Sequence, residues 1–205
     1  MDCAFCAEFA GVEGEGRIIA EDAGWVLLPT LGCFIPGYCL FMPLDHIDAA
    51  ADLPQTELRR VESIVETMRQ RIESAFGLAI LAEHGSRDCQ LGAGCCAHCH
   101  LHLIPVPDPE AVTRAYLATG GNGTALRELA DLPAAADGPY LYLSPRPGKH
   151  LFWPAGSRFP RQYVRRVCAR LHGLSDRYDW RDHPFGHNQR LTADILRRNW
   201  EQRAA

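Results

Sequence analysis

Lysine is almost missing from this chain of 205 residues, in which Lys149 is the only one. Arginine carries nearly all of the positive charge, yet acidic residues outnumber basic ones and the formal net charge is −4. A mildly acidic chain without a basic run or an RNA-binding motif is not expected to bind nucleic acid, because such binding depends on clustered cations. We therefore expect any anionic ligand to be small and locally held.

Long apolar runs are missing too, since no stretch approaches the roughly 20 residues that a membrane-spanning helix requires. We therefore expect no membrane partner. A secretory leader is also not evident, because Met1 and Asp2 run directly into a cysteine pair. The nine cysteines are an odd number, which argues against a secreted disulfide scaffold. The expected location is a reducing cytoplasm, in which thiolates can bind metal.

Histidines occupy three alternate positions in one short segment, as His98, His100 and His102. The residues that separate and follow them are mostly apolar, which predicts a β-strand over 98–105. Alternate side chains of a strand point to the same face, so the three imidazoles should form one row. Near pH 7 an imidazole can be a metal ligand, a nucleophile or a proton donor. Because burying three such rings without partners would be costly, the pattern predicts a functional site.

Cys3 and Cys6 form a Cys-x-x-Cys pair with the spacing of two ligands of one tetrahedral zinc ion. The pair by itself is equally compatible with a redox pair, because a full zinc site needs two further ligands. His46 follows a predicted strand in a Pro-x-x-His sequence. An isolated histidine of this kind is by default a solvated loop residue.

Hydrophobic periodicity predicts a chain of mixed α and β structure. Extended segments are predicted at 17–21, 25–29, 40–43, 78–82, 140–143 and 150–153, and shorter helices at 111–117, 160–173 and 191–200. One long helix is predicted over 53–76, with Asp52 as its N-cap and Gly77 at its end. The strand 78–82 should pair with the histidine strand. Glu83 and His84 are expected in the loop between them, whose backbone N–H groups could hold phosphate oxygens.

These features together resemble the histidine triad (HIT) superfamily, whose signature is His-x-His-x-His followed by two apolar residues. The segment 98–104 satisfies that signature in full. The Pro-x-x-His ending at His46 and the N-terminal Cys-x-x-Cys are similar to zinc-containing bacterial members. The resemblance implies an α+β, HIT-like fold, with an antiparallel sheet and one long helix in a catalytic domain over 1–107. Residues 108–205 are similar to the extension of one bacterial subgroup and are expected to pack on that domain as an α/β extension.

The resemblance also implies a role for each histidine. His100 would be the nucleophile that attacks the α-phosphorus of a nucleotide, and His102 would stabilise the leaving group or donate a proton to it. His98 would complete a structural zinc site with Cys3, Cys6 and His46. The family's usual residues for contacting ribose and phosphate are replaced in this chain, and we expect the residues at these positions to contact the substrate. They are Thr30, Glu83, Cys95 and Cys96.

The function implied by the resemblance is that of a nucleotide hydrolase. It would cleave at the α-phosphate of a dinucleoside polyphosphate or nucleotide conjugate through a nucleotidyl-histidine intermediate. A nucleotidyltransferase or phosphorylase would use the same intermediate with an acceptor other than water, and a non-catalytic nucleotide-binding module is a third alternative. Arg146, Lys149, Arg161 and Arg165 would line an acceptor site or else lie on the solvated surface. Family members commonly form homodimers through the helix and the sheet edge, so a homodimer is expected.

Overall fold

The structure is a computed structural model that describes residues 3–11, 16–85, 98–156 and 158–201. Its strands are β1 (Ala20–Asp22), β2 (Trp25–Pro29), β3 (Cys39–Pro43), β4 (Ala79–Gly85), β5 (Leu101–Pro105), β6 (Thr124–Leu126), β7 (Tyr140–Arg146) and β8 (Lys149–Pro154). Its helices are α1 (Ala4–Phe9), α2 (Gln55–Phe76), α3 (Pro109–Gly120), α4 (Leu132–Ala135), α5 (Tyr163–Leu171) and α6 (Gly186–Glu201). The eight strands form one antiparallel sheet in the order β1-β2-β3-β5-β4-β7-β8-β6.

The long helix α2 covers one face of this sheet. A helix forms and packs here because apolar residues recur at three- and four-residue spacing and are buried, namely Leu58, Val61, Val65, Met68 and Ile72. Gly77 ends the helix with a φ of 90°, a backbone conformation that glycine adopts without strain. The predicted N-cap is wrong, because Asp52 lies in a 3₁₀ turn over Ala50–Asp52 and Pro54 is the N-cap. A proline disfavours helical geometry in the residue before it, so Leu53 is extended, and the helix begins at Gln55.

The two faces of the sheet have separate cores. Leu101 and Leu103 of β5 pack with α2 in the first core, whereas Ile104 belongs to the second core, which includes Val164 of α5. Because side chains of a strand alternate between faces, His102 points away from α2 and towards the face that α5 covers. The predicted class, an α+β fold with an antiparallel sheet and one long helix, is confirmed.

Two predicted strand bounds are corrected by the structure. β5 begins at Leu101, so His98 and His100 lie directly before the strand and not in it. β4 continues to Gly85, so Glu83 and His84 belong to a strand and not to a loop. Both side chains are buried, at 1% and 5% exposure. The strand is longer than predicted because β7 pairs along its second half.

The C-terminal part of the chain extends the same sheet. β7 pairs antiparallel with β4, and the register joins His84 to Leu141. The sheet is therefore continuous across the expected boundary between residues 107 and 108. That residues 108–205 are not an independent domain stays a prediction, which this continuity supports. Among the described residues, no helix combines the length and apolar character needed to cross a membrane.

Replacing Leu141 with Ala tests whether the two parts fold as one unit. Leu141 is fully buried in the second core, so the variant should lose about 2–5 kcal/mol of free energy of unfolding in urea titrations. Hydrogen exchange should accelerate in the amides of β5 as well as in those of β7. Leu117, which is 38% exposed on α3, provides the matched control, and its replacement with Ala should cost less than about 1 kcal/mol. Unchanged exchange in β5 would contradict shared folding.

Candidate active site and metal site

His100 is oriented by the backbone of its own segment. Its Nδ1 lies 2.6 Å from the carbonyl oxygen of His98, and because a carbonyl can only accept, Nδ1 donates this bond. The tautomer is thereby set, and Nε2 is the basic nitrogen of the ring. The side chain is 5% exposed, and its ring centroid lies 4.8 Å from that of His102.

His102 lies on β5 opposite Leu40 of β3 and Ala82 of β4. Its Nδ1 is 2.8 Å from the Tyr38 hydroxyl oxygen, whereas Nε2 is buried without a hydrogen-bond partner among the described residues. Burial lowers the pKa of His102 well below its usual value, and nearby His100, His84 and Arg165 act in the same direction. The ring is therefore neutral at pH 7. A Tyr38 hydroxyl that donates to Nδ1 would leave the ring hydrogen on Nε2.

Both rings line one cavity of about 90 Å³, which is several times the space that one water needs. The cavity is bounded by residues of α1, of the segment before β1, of the two positions after β2, of β3, of β5 and its approach, and of the C-terminal extension. These residues are Ala4, Phe5, Glu8, Arg17, Thr30, Leu31, Leu40, His100, His102, Arg165 and Trp180. A mostly apolar cavity that contains two imidazoles is typical of a small-molecule site.

The residues predicted to contact substrate do not all line the cavity. Thr30 is buried and lines the cavity with the two histidines. Glu83 does not line it, because its carboxylate accepts hydrogen bonds from the Ala50 N–H and the Tyr140 hydroxyl inside the first core. Cys95 and Cys96 lie outside the described residues, as does the loop expected to hold phosphate oxygens.

The residues predicted to line an acceptor site also lie in different places. Arg165 lines the cavity, whereas Arg146 and Arg161 are exposed elsewhere and Lys149 forms an ion pair with Glu110. Phe5, Glu8, Arg17 and Trp180 line the cavity but were not predicted. The chain brings them to the histidines from distant positions, and no local pattern marks them.

Four potential metal ligands meet beside the triad. One ligand atom from each of Cys3, Cys6, His46 and His98 lies within 4.8 Å of the others. His98 Nδ1 is 3.4 Å from Cys3 Sγ and 3.6 Å from Cys6 Sγ, and His46 Nδ1 is 3.3 Å from Cys6 Sγ. Tetrahedral coordination with the usual Zn–S and Zn–N lengths would separate sulfur and nitrogen by about 3.6 Å. The donor set and its spacing therefore fit one tetrahedral ion.

The other ring nitrogens of these two histidines also suit metal ligation. His98 Nε2 donates to the Pro43 carbonyl at 2.9 Å, so its Nδ1 carries the lone pair. His46 Nε2 lies 3.3 Å from the Asp48 carboxylate. Such partners fix the ring orientation of metal-binding histidines. Burial lowers the pKa of His98, which favours the neutral form that binds metal.

The histidine triad class is defined by two features that this structure has. One is an antiparallel sheet with one long helix, and the other is a set of alternate histidines, two of which line one cavity here. An uncharacterized HIT-like protein of Mycobacterium tuberculosis is 30% identical over 105 residues, which cover 51% of this chain and 72% of that protein. The chain belongs to the HIT family. No family model matches it.

Three other proteins are similar to this chain over different shares of their own lengths. Zinc finger CCCH domain-containing protein 59 of rice is 23% identical over 197 residues, 88% of this chain but only 31% of that protein. A HIT family member from Bacillus subtilis is 19% identical, with a TM-score of 0.45, over 51% of this chain and 73% of that one. A hypothetical histidine triad nucleotide-binding protein from Sulfolobus tokodaii is 21% identical, with a TM-score of 0.43, over 50% and 68%.

Replacing Glu83 with Gln tests the buried carboxyl group behind the site. Burial raises the pKa of Glu83, although hydrogen bonds from Tyr140 and Ala50 and the nearby His100 oppose the shift. The folded state therefore holds this proton more tightly than the unfolded state, so its contribution to stability falls as pH rises from about 4.5 through the folded pKa. In urea titrations, the free energy of unfolding of Glu83→Gln should rise relative to that of the wild type as pH increases over that interval.

Glu57 provides a control because its pKa is shifted in the opposite direction to that of Glu83. The Arg60 guanidinium lowers the pKa of Glu57, so its contribution is present above the unfolded value and is lost as pH falls. The free energy of unfolding of a Glu57→Gln variant should therefore fall relative to that of the wild type as pH rises. If the two variants moved in the same direction, the assigned shift of Glu83 would be wrong.

Proposed function

We propose that this HIT protein hydrolyses a nucleotide at its α-phosphate, with His100 as the nucleophile. The observation that carries the proposal is the bond from His100 Nδ1 to the His98 carbonyl, which makes Nε2 the attacking nitrogen beside His102 in the cavity. Nε2 forms a bond to phosphorus while the bond from phosphorus to the leaving group breaks. Water then attacks the phosphorus, the N–P bond breaks, and His100 returns to its neutral form as the nucleoside monophosphate leaves.

His102 stabilises the leaving group in this proposal. With Tyr38 donating to Nδ1, the Nε2 hydrogen is available to the oxygen on which negative charge develops. The absence of a partner for Nε2 among the described residues supports a role in which the substrate supplies that partner. Dinucleoside polyphosphates and nucleotide conjugates provide a leaving group of this kind.

The Cys3, Cys6, His46 and His98 site is proposed to hold a structural zinc ion. Four protein ligands complete a tetrahedral shell, so no position remains for water or substrate. These residues join the N-terminus to the approach of β5. Phe5, between the two cysteines, packs against the His98 and His100 rings at centroid distances of 5.7 and 6.0 Å. The site therefore positions one wall of the cavity and takes no part in the chemistry.

Homodimer formation and a cytoplasmic location stay predictions. β7 pairs with β4, so that strand does not offer a free sheet edge to a second subunit. A homodimer would therefore have to use another surface.

A His100→Asn variant tests the nucleophile. Asparagine removes the attacking nitrogen, so turnover of dinucleoside polyphosphates should fall at least about a thousandfold and no covalent adduct should form. Rapid quenching and mass spectrometry of the wild type should show a nucleotidyl group on His100. The exposed His187 provides the control, since its replacement with Asn should leave both measurements unchanged. Full activity of His100→Asn would refute the assignment.

The metal site is tested by metal analysis and thermal unfolding. We expect about one zinc ion per chain, which the double variant Cys3→Ser and Cys6→Ser should lose. Because the ion ties α1 to the β5 approach, Tm should fall by at least about 4 °C, the shift expected for a loss of about 2 kcal/mol. His46→Ala should weaken zinc binding, whereas His187→Ala should not. Equal Tm values for metal-stripped and native protein would contradict a structural role.

A further inference from the structure

His84 is a buried histidine to which the proposed chemistry gives no role. It is 5% exposed and lies near the end of β4, the strand that pairs with β5. Its ring centroid lies 5.5 Å from that of His102, so the two rings are neighbours on the face of the sheet that α5 covers. Burying a polar ring is costly unless its nitrogens have partners, so the bonds of His84 indicate what it does.

The Nε2 atom of His84 accepts a hydrogen bond from the backbone of α5. The Val164 N–H donates this bond at 3.2 Å. Val164 is the second residue of α5, and the first four N–H groups of an α-helix have no carbonyl partner inside the helix. Within the described residues, the side chain of the N-cap residue, Gln162, makes no capping bond. His84 therefore supplies the first turn of α5 with an acceptor from the central sheet.

The direction of this bond defines the state of the His84 ring. A ring nitrogen that accepts a hydrogen bond carries no hydrogen, so the ring is neutral and its hydrogen is on Nδ1. An imidazolium would offer no acceptor, and it would also place a positive charge at the positive end of the helix. His84 is therefore suited to holding α5 in place and unsuited to donating a proton from Nε2.

The first turn of α5 carries Arg165 into the wall of the cavity. Arg165 directly follows Val164 and is 2% exposed. Its Nε donates to the Tyr178 carbonyl at 2.7 Å, and its Nη2 donates to the Gly32 carbonyl at 2.6 Å. Trp180, two residues beyond Tyr178, lines the cavity together with Arg165. The position of this turn therefore determines where two residues of the cavity wall lie.

Gly32 shows how closely the extension approaches the loop after β2. Its φ is +64°, and a Cβ at this position would lie 2.5 Å from the Trp180 backbone and 2.7 Å from Arg165 Nη2. A displacement of α5 by about 1 Å would take both Arg165 bonds beyond the usual range of hydrogen-bond lengths. The wall of the cavity therefore depends on a precise position of α5.

A second histidine joins the other end of α5 to the central sheet. His172 is the C-cap residue of α5, and its Nε2 donates to the Pro105 carbonyl at 2.9 Å. Pro105 is the last residue of β5, and His172 and Pro105 border a different pocket together with Phe76. The two histidines thus make comparable links, but the link from His84 lies beside His102.

We propose that His84 is a positioning residue of the active site. Its Nε2 holds the first turn of α5 against the catalytic strand and so places Arg165 and Trp180 in the cavity wall. The inference rests on the proposed function for the kind of ligand that the cavity binds. His84 acts through α5 in this proposal and takes no part in bond making.

Replacing His84 with Leu or with Gln separates the acceptor from the ring. Leu removes the acceptor, whereas the Oε1 atom of Gln can take the place of Nε2 and accept the same bond. In the His100→Asn background, calorimetric titration with AMP and GMP should show at least about a 10-fold loss of affinity for Leu and less than about a threefold loss for Gln. With an active His100, the loss in the Leu variant should be larger in KM than in kcat.

The Nε–H group of Arg165 provides a local measurement in proton–nitrogen NMR spectra. Its bond to the Tyr178 carbonyl protects this hydrogen from exchange with water, and Arg165→Lys identifies the signal by removing it. The signal should be retained in His84→Gln and lost to exchange in His84→Leu. This measurement tests the position of Arg165 even where neither nucleotide binds.

His172→Leu is the matched control, because it also removes a bond between α5 and the central sheet. Its Tm should fall as that of His84→Leu does, while nucleotide affinity and the Arg165 signal should stay unchanged. If His84→Leu does not fold, His84→Asn takes its place, since its shorter amide cannot reach the Val164 N–H. A folded Leu or Asn variant of His84 that keeps both the affinity and the signal would assign a structural role only and overturn the proposal. Equal losses in the Leu and Gln variants would also overturn it.

The outcomes distinguish this proposal from the proposed function. A nucleotidyl adduct on His100 of the wild type, with an unchanged Arg165 signal in His84→Leu, would retain hydrolysis and refute the positioning role. A signal that depends on the acceptor at residue 84, without a His100 adduct from any substrate, would do the reverse.

Discussion

The pairing of β5 on both edges is the constraint on which the site depends. Hydrogen bonds from β3 and β4 fix its register, with His102 opposite Leu40 on one side and Ala82 on the other. A slip of one residue would turn the histidines towards α2 and the leucines towards the cavity, and the first core would then contain unpaired imidazoles. Burial of Leu101 and Leu103 against α2 therefore stabilises the orientation that the chemistry requires.

The wall of the cavity opposite β5 has weaker support. α1 has only six residues, none of them buried, and a helix this short is not stable by itself. Its position depends on the cysteine and histidine cluster at one end and on the ion pair between Glu8 and Arg17 at the other. The proposed zinc ion would thus act on the cavity through geometry, because it sets where Phe5 contacts the His100 ring.

The local sequence predicted those elements that are marked by their own apolar residues: β2 and β3 are buried on both faces, and α2 is buried along one face. β2, β3 and α2 were found within two residues of their bounds because each buries a regular set of apolar side chains. Glu83 and His84 were misplaced in a loop because polar residues at the end of an apolar run usually mark its exit. In the structure the Tyr140 hydroxyl donates to Glu83, and the Val164 N–H donates to His84 Nε2 at 3.2 Å. Partners so distant in sequence leave no local signal.

The same limit explains why the histidine row could be predicted and the opposite wall of the cavity could not. A triad on one strand requires only a spacing of two, whereas Arg165 reaches the cavity only after β7 has joined β4 and β8 has led the chain towards α5. Its contacts with Gly32 are between residues 133 positions apart. The extension thus pairs with β4 in the sheet and also contributes the charge of Arg165 to the cavity of His100 and His102. A surface residue added late in the chain would be neutral to the site, but Arg165 is buried in the cavity wall, and, besides burial, its charge helps to lower the pKa of His102.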